Sequence, residues 1–326
     1  MELIHGTAEL RRKLNRPILT IGNFDGLHLG HQTILDTVTG RARALGGESV
    51  LYTFDPHPRK VLQPNRGPEL LVDLDQKVEL LAAAGLDVLI VEPFDLAFAK
   101  TPPQVFIHEY IHSRIAPREV YVGYDFHFGR DREGSMRLLT EMGPQLGFSV
   151  TIIPEVTIHG KDVNSTRIRE LLRAGDVDEA RQLLGRPFSI RGPVVQGDQR
   201  GRQLGFPTAN LASENEIRPA AGVYACCLRM LDEGDPDEGT VLPAVANLGS
   251  RPTFNESAVS SVEAHAIDFQ GDLYGRHVEL SFIDRIRKER KFPGPDALRE
   301  QIGRDVGEAD NRLRAYFQAG NAVLKG

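Results

Sequence analysis

No run of this chain is apolar over the roughly 18 residues that suggest a membrane span, and Met1-Glu2-Leu3-Ile4-His5-Gly6 lacks the basic segment and apolar run of a secretory signal. The expected location is therefore the cytoplasm, with no membrane partner. Cysteine is almost absent: Cys226 and Cys227 are the only two, and they are adjacent. They supply neither a disulfide framework nor a metal site, and on a strand they would point to opposite faces. Free thiols of this kind suit a reducing compartment. An excess of basic residues is also missing, with 39 Lys and Arg against 45 Asp and Glu and a net charge of −6. That balance disfavours nucleic acid as a partner but leaves local arginine clusters free to grip phosphates. There is no internal repeat, no low-complexity tract, and no Gly-Lys-Ser/Thr triplet of the kind that ends a Walker loop.

What is present is enough apolar material for two cores: 326 residues with 40% hydrophobic composition, against a prior of about 100–200 residues per domain. Pro17 to Ile21 is a short apolar run ending in a Gly-rich loop, and Ile34, Leu35, Val38, Ala42 and Leu45 then recur at helical spacing. With Ser49 to Phe54 as the next strand, this opening is a βαβ unit whose loop lies where ligands bind, at the carboxyl end of the first strand. Helices over Gln76 to Ala84, Pro103 to Ile115 and Met136 to Leu146 alternate with strands at Val88 to Val91, Val120 to Val122 and Phe148 to Ile153. Such alternation predicts a parallel sheet wrapped by helices. Helical segments follow at Ser165 to Leu172 and Val177 to Leu184, and the texture changes at Gly185-Arg186-Pro187, where the domain boundary is expected.

Beyond it, Phe188 to Gln196, Gly222 to Met230, Val241 to Leu248, Ser260 to Phe269 and His277 to Phe282 are closely spaced short strands, the pattern of a barrel or sandwich. Leu231 to Gly239 reads as an exposed acidic hairpin loop, and Leu298, Ile302, Val306, Ala309, Leu313 and Phe317 as a helical stripe weakened by Gly303 and Gly307.

Two places carry chemistry. In Gly22-Asn23-Phe24-Asp25-Gly26-Leu27-His28-Leu29-Gly30-His31, two imidazoles three residues apart stand at a helix start after a strand. Helix-start N–H groups attract phosphate, Gly30 permits close backbone approach, and both rings can donate to phosphate oxygens. Charge developing on an α-phosphate could be stabilised there without a covalent intermediate; the bland alternative is a pair of incidental loop and helix histidines. Tyr121 to Gly129 is a second strand-to-loop turn, with aromatics around Asp125 suited to enclosing a planar ring, unless that carboxylate only shapes the turn. Asn164-Ser165-Thr166-Arg167-Ile168-Arg169 puts hydroxyls and two guanidiniums on the first turns of a helix.

The other place is Gly192 to Asn210, where Gly192, Gly197 and Gly205 can expose backbone N–H groups to phosphate. Pro207 sets Thr208 and Asn210 on one extended face, offering oxygens to Mg²⁺. A plain Gly/Pro turn before a strand fits the composition as well. Glu263, on an alternating strand, is expected to share a face with Ile267 and Phe269, a place that suits a general base or a Glu paired with His265 or an Arg.

The motif Gly-Asn-Phe-Asp-Gly-x-His-x-Gly-His, the element Phe54-Asp55-Pro56-His57-Pro58, Gly-x-Asp-Phe-x-Phe-Gly at Gly123 to Gly129 and Ser-Thr-x-Ile-Arg at Ser165 to Arg169 resemble the adenylyltransferase module of the prokaryotic bifunctional riboflavin kinase/FMN adenylyltransferases. From Gly185 to Phe317 the chain resembles their riboflavin kinase module, in Leu204-Gly205-Phe206-Pro207-Thr208-Ala209-Asn210, Ala246 to Phe254, Glu263-Ala264-His265 and Arg287 to Phe292. The resemblance implies a Rossmann-like nucleotidyltransferase domain over 1–184 and a small antiparallel β-barrel with a C-terminal helix over 185–326. It implies ATP as co-substrate, Mg²⁺ as cofactor, and riboflavin, FMN and FAD as small-molecule partners. Gly22, Phe24, His28, Gly30 and His31 would hold ATP, with Ser165, Thr166 and Arg169 on its triphosphate and Asp125 in the catalytic pocket. Thr208 and Asn210 would take Mg-ATP, and Glu263 would deprotonate the ribityl 5′-hydroxyl. His57, Phe126, Phe128 and Arg287 would face the flavin. Asn164 departs from the family, whose members commonly carry Ser. Weak self-association is compatible with this composition. Two rivals stay open: a single nucleotidyltransferase with a regulatory flavin-binding barrel, and an RNA-binding relative that shares His-x-Gly-His, which the net acidity disfavours.

Overall fold

The computed structural model describes residues 1–197, 201, 204–232, 238–250 and 260–320. The motif residues Arg251 to Phe254 and most of the acidic loop at Leu231 to Gly239 lie outside the described residues. The chain divides into two compact units, Met1–Asn164 and Ser165–Gly326.

The first unit is built on a six-stranded parallel sheet in the order β1-β4-β3-β2-β5-β8, made of β1 (Glu2–His5), β2 (Ile18–Ile21), β3 (Ser49–Asp55), β4 (Val88–Pro93), β5 (Glu119–Gly123) and β8 (Ser149–Ile153). Short hairpins β6 (His127–Phe128) with β7 (Gly134–Ser135), and β9 (Thr157–Ile158) with β10 (Lys161–Asp162), decorate it. Helices α1 (Leu29–Leu45), α2 (Pro58–Leu62), α3 (Leu74–Ala83), α4 (Pro103–Val105) and α5 (Met136–Met142) make the crossovers, and α4 runs on as a π-helix over Phe106–Ile115. The central strand β2 is buried at every residue, which is why it carries Ile18, Leu19 and Ile21 on both faces instead of alternating with exposed polar residues. The chain leaves β2 towards β3 and β4, then returns to place β5 on the other side of β2. In an open parallel sheet the crevice at that switch point is where ligands bind, and the loops leaving β2 and β5 are the two that sequence singled out. β1 was not expected: four residues with one buried position give almost no pattern.

The second unit is a closed six-stranded antiparallel barrel in the order β11-β12-β15-β14-β13-β16. Its strands are β11 (Phe188–Val195), β12 (Ala209–Leu211), β13 (Gly222–Met230), β14 (Val241–Ser250), β15 (Ser260–Ala266) and β16 (His277–Lys288). Tyr224 and Phe282 meet edge to face inside it, with ring centroids 5.4 Å apart. On the outer face α8 (Pro295–Gln318) covers Val223, Ala225, Cys227, Val245 and Ile283 with Ala309, Leu313 and Tyr316. Cys226 and Cys227 therefore do point to opposite sides, both as free buried thiols. The helix runs through Gly303 and Gly307, but its seam departs from the expected stripe: Gln301, Asp305 and Tyr316 are buried while Phe317 is 42% exposed.

The compact units part about twenty residues before the boundary expected at Gly185. Helices α6 (Ser165–Ala174) and α7 (Val177–Leu184) belong to the barrel unit. They are joined by an Arg167–Glu179 ion pair, and the Arg285 guanidinium donates to the Ala174 carbonyl at 2.9 Å. Helix α7 packs on β11 and β16.

Glu279 is 1% exposed and accepts from Ser189, Arg191 and Arg229, the two arginines at 3.0 and 2.8 Å. Burial pushes its pKa up, yet the two guanidiniums outweigh that and hold it below the usual carboxylate range. Glu279→Gln, which removes the buried carboxylate that Arg191 and Arg229 share, should destabilise the barrel by about 3–5 kcal/mol, read as a lower urea midpoint. Because the folded pKa is depressed, the native carboxylate's contribution is complete above the ordinary carboxylate pKa and is lost as pH falls through the folded value. The variant's stability should accordingly lose part of the acid-side decline seen in the native chain.

Candidate functional sites

The loop after β2 is held in an unusual shape. Phe24, Gly26 and Leu27 all have left-handed backbone, with φ of 48°, 82° and 43°. For the two non-glycines that conformation carries strain, which persists only where surroundings enforce it. Here the enforcement is visible: Phe24 and Leu27 are 2% and 3% exposed in the core beside α1. Asp25 accepts from the Leu71 amide at 3.0 Å, and the Lys77 ammonium donates to the Asn23 carbonyl at 3.0 Å. Lys77 is itself buried near Asp25 and Asp55, and burial lowers its pKa against their opposing pull.

This fixed loop delivers His28 as the N-cap of α1, where its Nδ1 accepts weakly from the His31 amide at 3.4 Å. A neutral His28 accordingly carries its proton on Nε2. Phe24, His31 and His28 form a stacked column, with ring centroids 4.6 and 3.7 Å apart. Gly22 and Gly30 border it: a methyl on Gly22 would press on the Phe24 ring, and one on Gly30 on the His28 ring, at 3.0 and 3.2 Å. His31 Nδ1 is buried with no hydrogen-bond partner among the described residues. Burial, then the adjacent His28, then Lys77, drive the His31 pKa well below its ordinary value. The arrangement is an anion-receiving helix start with two imidazoles and little room for a second positive charge.

The neighbouring loop, after β5, leaves Asp125 exposed and Phe126 half-buried. Phe126 stacks on Phe128 at 5.4 Å, but Phe128 is 7% exposed and packs into the core against Phe106. Of the two rings, Phe126 is the one with surface to offer a ligand. His57 caps α2 by accepting from the Arg59 amide at 3.1 Å, the behaviour of a rigid-loop imidazole. In the other unit, Ser165 and Thr166 open α6 and Arg169 is buried on it.

In the barrel, strand register builds the site. Asn210 on β12 pairs with Glu263 on β15, which pairs with Asn247 on β14. Directly paired residues share a face, so two amides flank one carboxylate. Glu263 is half-buried, beside Ser261 and His265. The expected reason for its importance is therefore corrected. Its strand ends at Ala266, before Ile267 and Phe269, and the apolar face is Val262, Ala264 and Ala266 instead. Asn210 lies on Gly197, where any Cβ would overlap its amide, and Thr208 lies beside Gly201. Gly205 takes φ of 87° in the turn leading to them. Gly192 has a different reason: it pairs with Val278 inside the barrel wall, and a side chain there would overlap the Ala212 carbonyl. Arg287 is held by Asp305 of α8 through three hydrogen bonds of 2.7 to 3.0 Å.

Four residues of this geometry had no assigned role in the sequence: Asp25, Lys77, Asn247 and His265. Asp25, Asn247 and His265 sit inside recognisable motifs, whereas a lone lysine within a helical pattern gives no signal.

A family model described as FAD synthetase matches residues 10–167, and one described as riboflavin kinase matches residues 184–313. A bifunctional riboflavin kinase/FMN adenylyltransferase of Haemophilus influenzae is 37% identical, over 98% of this chain and 100% of its own. That of Escherichia coli K12 is 36% identical over 94% and 96%, and that of Bacillus subtilis 35% over 95% and 97%. A crystal structure from Streptococcus pneumoniae, named as a macrolide-efflux protein, superposes with a TM-score of 0.84 at 29% identity, over 95% of this chain and 98% of its own. Among the described residues here, no helix is long and apolar enough to cross a membrane.

The column in the first matched region makes a direct prediction. His31 should stay neutral through the whole neutral range, so its imidazole resonances in an NMR titration should not move until pH falls well below the ordinary histidine value. Lys77→Met, by removing one of the charges that oppose protonation, should move that midpoint upward. An unshifted midpoint would count against Lys77 as part of this site.

Proposed function

The chain belongs to the bifunctional riboflavin kinase/FMN adenylyltransferase family, and on that premise we propose how its residues divide the two reactions. Riboflavin kinase activity moves the γ-phosphoryl of ATP to the ribityl 5′-hydroxyl of riboflavin, giving FMN and ADP. FMN adenylyltransferase activity moves AMP from another ATP onto the phosphate of FMN, giving FAD and pyrophosphate. We assign the second reaction to residues 1–184 and the first to 185–326, a division supported by the two family matches.

For phosphorylation, the observation that carries the reading is the row Asn210–Glu263–Asn247. Glu263 is the general base that takes the 5′-hydroxyl proton as its oxygen attacks the γ-phosphorus and ADP departs. Thr208 and Asn210 present a hydroxyl and an amide oxygen, hard donors that fit Mg²⁺. Phosphate oxygens and water can complete the shell of an ion held by these two donors. When bound, the ion neutralises phosphate charge. Gly197 keeps space for Asn210, and Gly205 turns the chain into position. Arg287, fixed by Asp305, is proposed to face the flavin side from a rigid anchor rather than as a mobile arm.

For adenylylation, a phosphate oxygen of FMN attacks the α-phosphorus of ATP while pyrophosphate leaves. The start of α1 with His28 and His31 is the proposed phosphate site, supported by the enforced loop and by the ring protonation derived above. A neutral His31 can donate one N–H, and most charge neutralisation falls to the helix start. Gly22, Phe24 and Gly30 frame the column, with Asp125 and Phe126 proposed on the flavin and catalytic side. Roles for Ser165, Thr166 and Arg169 on the triphosphate, and for His57 and Phe128 near the flavin, rest on motif position alone.

Incubation with riboflavin, ATP and Mg²⁺ should give FMN and then FAD. Glu263→Gln should lower FMN formation by about a hundredfold or more while FAD still forms from supplied FMN. The double variant His28→Ala, His31→Ala should do the reverse, accumulating FMN. Loss of both activities in either variant would contradict separate sites.

A further inference from the structure

The kinase reading leaves open what sets Thr208 and Asn210 against Glu263. Thr208 precedes β12, and β12 has only three residues, too few to fix the chain ahead of it by ladder hydrogen bonds alone. His265 stands two residues after Glu263 on the same face of β15, opposite Val245 of β14. Its Nδ1 lies 2.7 Å from the Pro207 carbonyl oxygen. A carbonyl oxygen only accepts, so His265 must carry its proton on Nδ1 and donate it. The same ring meets Phe206 edge-on, with centroids 5.6 Å apart and planes at 88°. Phe206 and Pro207 are thus gripped by one imidazole rooted in the strand that holds the proposed base.

We propose that His265 is a positioning residue for the kinase reaction: by holding the Pro207 carbonyl to β15, it sets where Thr208 and Asn210 stand relative to Glu263. The proton on Nδ1 is donated whether or not the ring is charged, so the grip does not require imidazolium. His265 touches neither substrate nor reacting atoms in this scheme. Its loss should therefore appear first in how the metal-bound nucleotide is held.

The test uses the full chain, with riboflavin, ATP and Mg²⁺ as probes and FAD formation from supplied FMN as an internal control. In His265→Ala, the Mg²⁺ concentration for half-maximal kinase rate and the KM for ATP should rise about tenfold or more, with the KM for riboflavin and the control activity unchanged. His265→Asn places an amide N–H where Nδ1–H was and should restore both quantities to within about threefold of the native chain. His265→Gln carries its amide one bond further out and should behave as the alanine variant does. If His265→Ala unfolds the barrel, the asparagine and glutamine variants decide by the same readouts. The proposal is overturned if asparagine is as impaired as glutamine, or if Mg²⁺ and ATP dependence are native in His265→Ala or His265→Gln. Absence of riboflavin phosphorylation in the native chain would instead overturn the kinase reading itself.

Discussion

The register of β15 between β12 and β14 is the constraint on which the proposed kinase face depends. Side chains alternate along a strand, so a slip of one residue would turn Glu263 into the barrel and bring Ala264 out. The barrel prevents this because its two faces are made of incompatible residues. On the buried face Ala209, Ala264 and Ala246 line up across the three strands. Beside them Tyr224 and Phe282 fill the interior at near-zero exposure. A carboxylate slipped into that row would be desolvated with no partner, at a cost of several kcal/mol. Closure adds a second restraint, since β11 pairs with both β12 and β16 and no strand is left with a free edge to slide along.

The first unit meets a related demand by another route. A parallel sheet offers no flat row of paired side chains at its carboxyl edge, only loops. Its loop is consequently fixed from within, by two apolar side chains driven into the core and by hydrogen bonds at Asn23 and Asp25. The strain at Phe24 and Leu27 is sustained by burial, and the reward is the stacked placement of His28 and His31 at the helix start. Lys77 links the two aspects, tying the backbone and adding positive potential beside an imidazole that burial already keeps neutral.

Much of this was legible in the sequence because periodicity and motif chemistry agree. The parallel α/β alternation, the run of short strands and the long final helix were each marked by spacing of apolar residues. Failures have identifiable causes. Strands β1 and β12 are too short to show a period, with four and three residues. The stripe on α8 was right at Val306, Ala309 and Leu313 and wrong at Phe317; the seam is also partly polar, with Asp305 and Gln301 buried through hydrogen bonds, which hydrophobicity cannot reveal. Glu263 was singled out for the wrong reason, since the strand was expected to continue to Phe269 and carry it onto an apolar face. What marks it is its cross-strand partners, and pairing between distant segments is not written in local spacing.

The barrel also shows why that distinction matters for chemistry. Two glutamates lie on its outer rows, and their partners make them different instruments. Glu279 accepts from two guanidiniums and a hydroxyl and is nearly fully buried. Its negative charge is so well stabilised that taking up a proton would forfeit two charge-assisted bonds. Glu263 has amides as its strand neighbours and stands half-exposed on the face that Thr208 and Asn210 share. Amides can orient a carboxylate without cancelling its charge, which leaves it able to accept a proton from an approaching hydroxyl. Exchange of either neighbouring Asn for Arg would remove that difference, converting the proposed base into another structural ion pair.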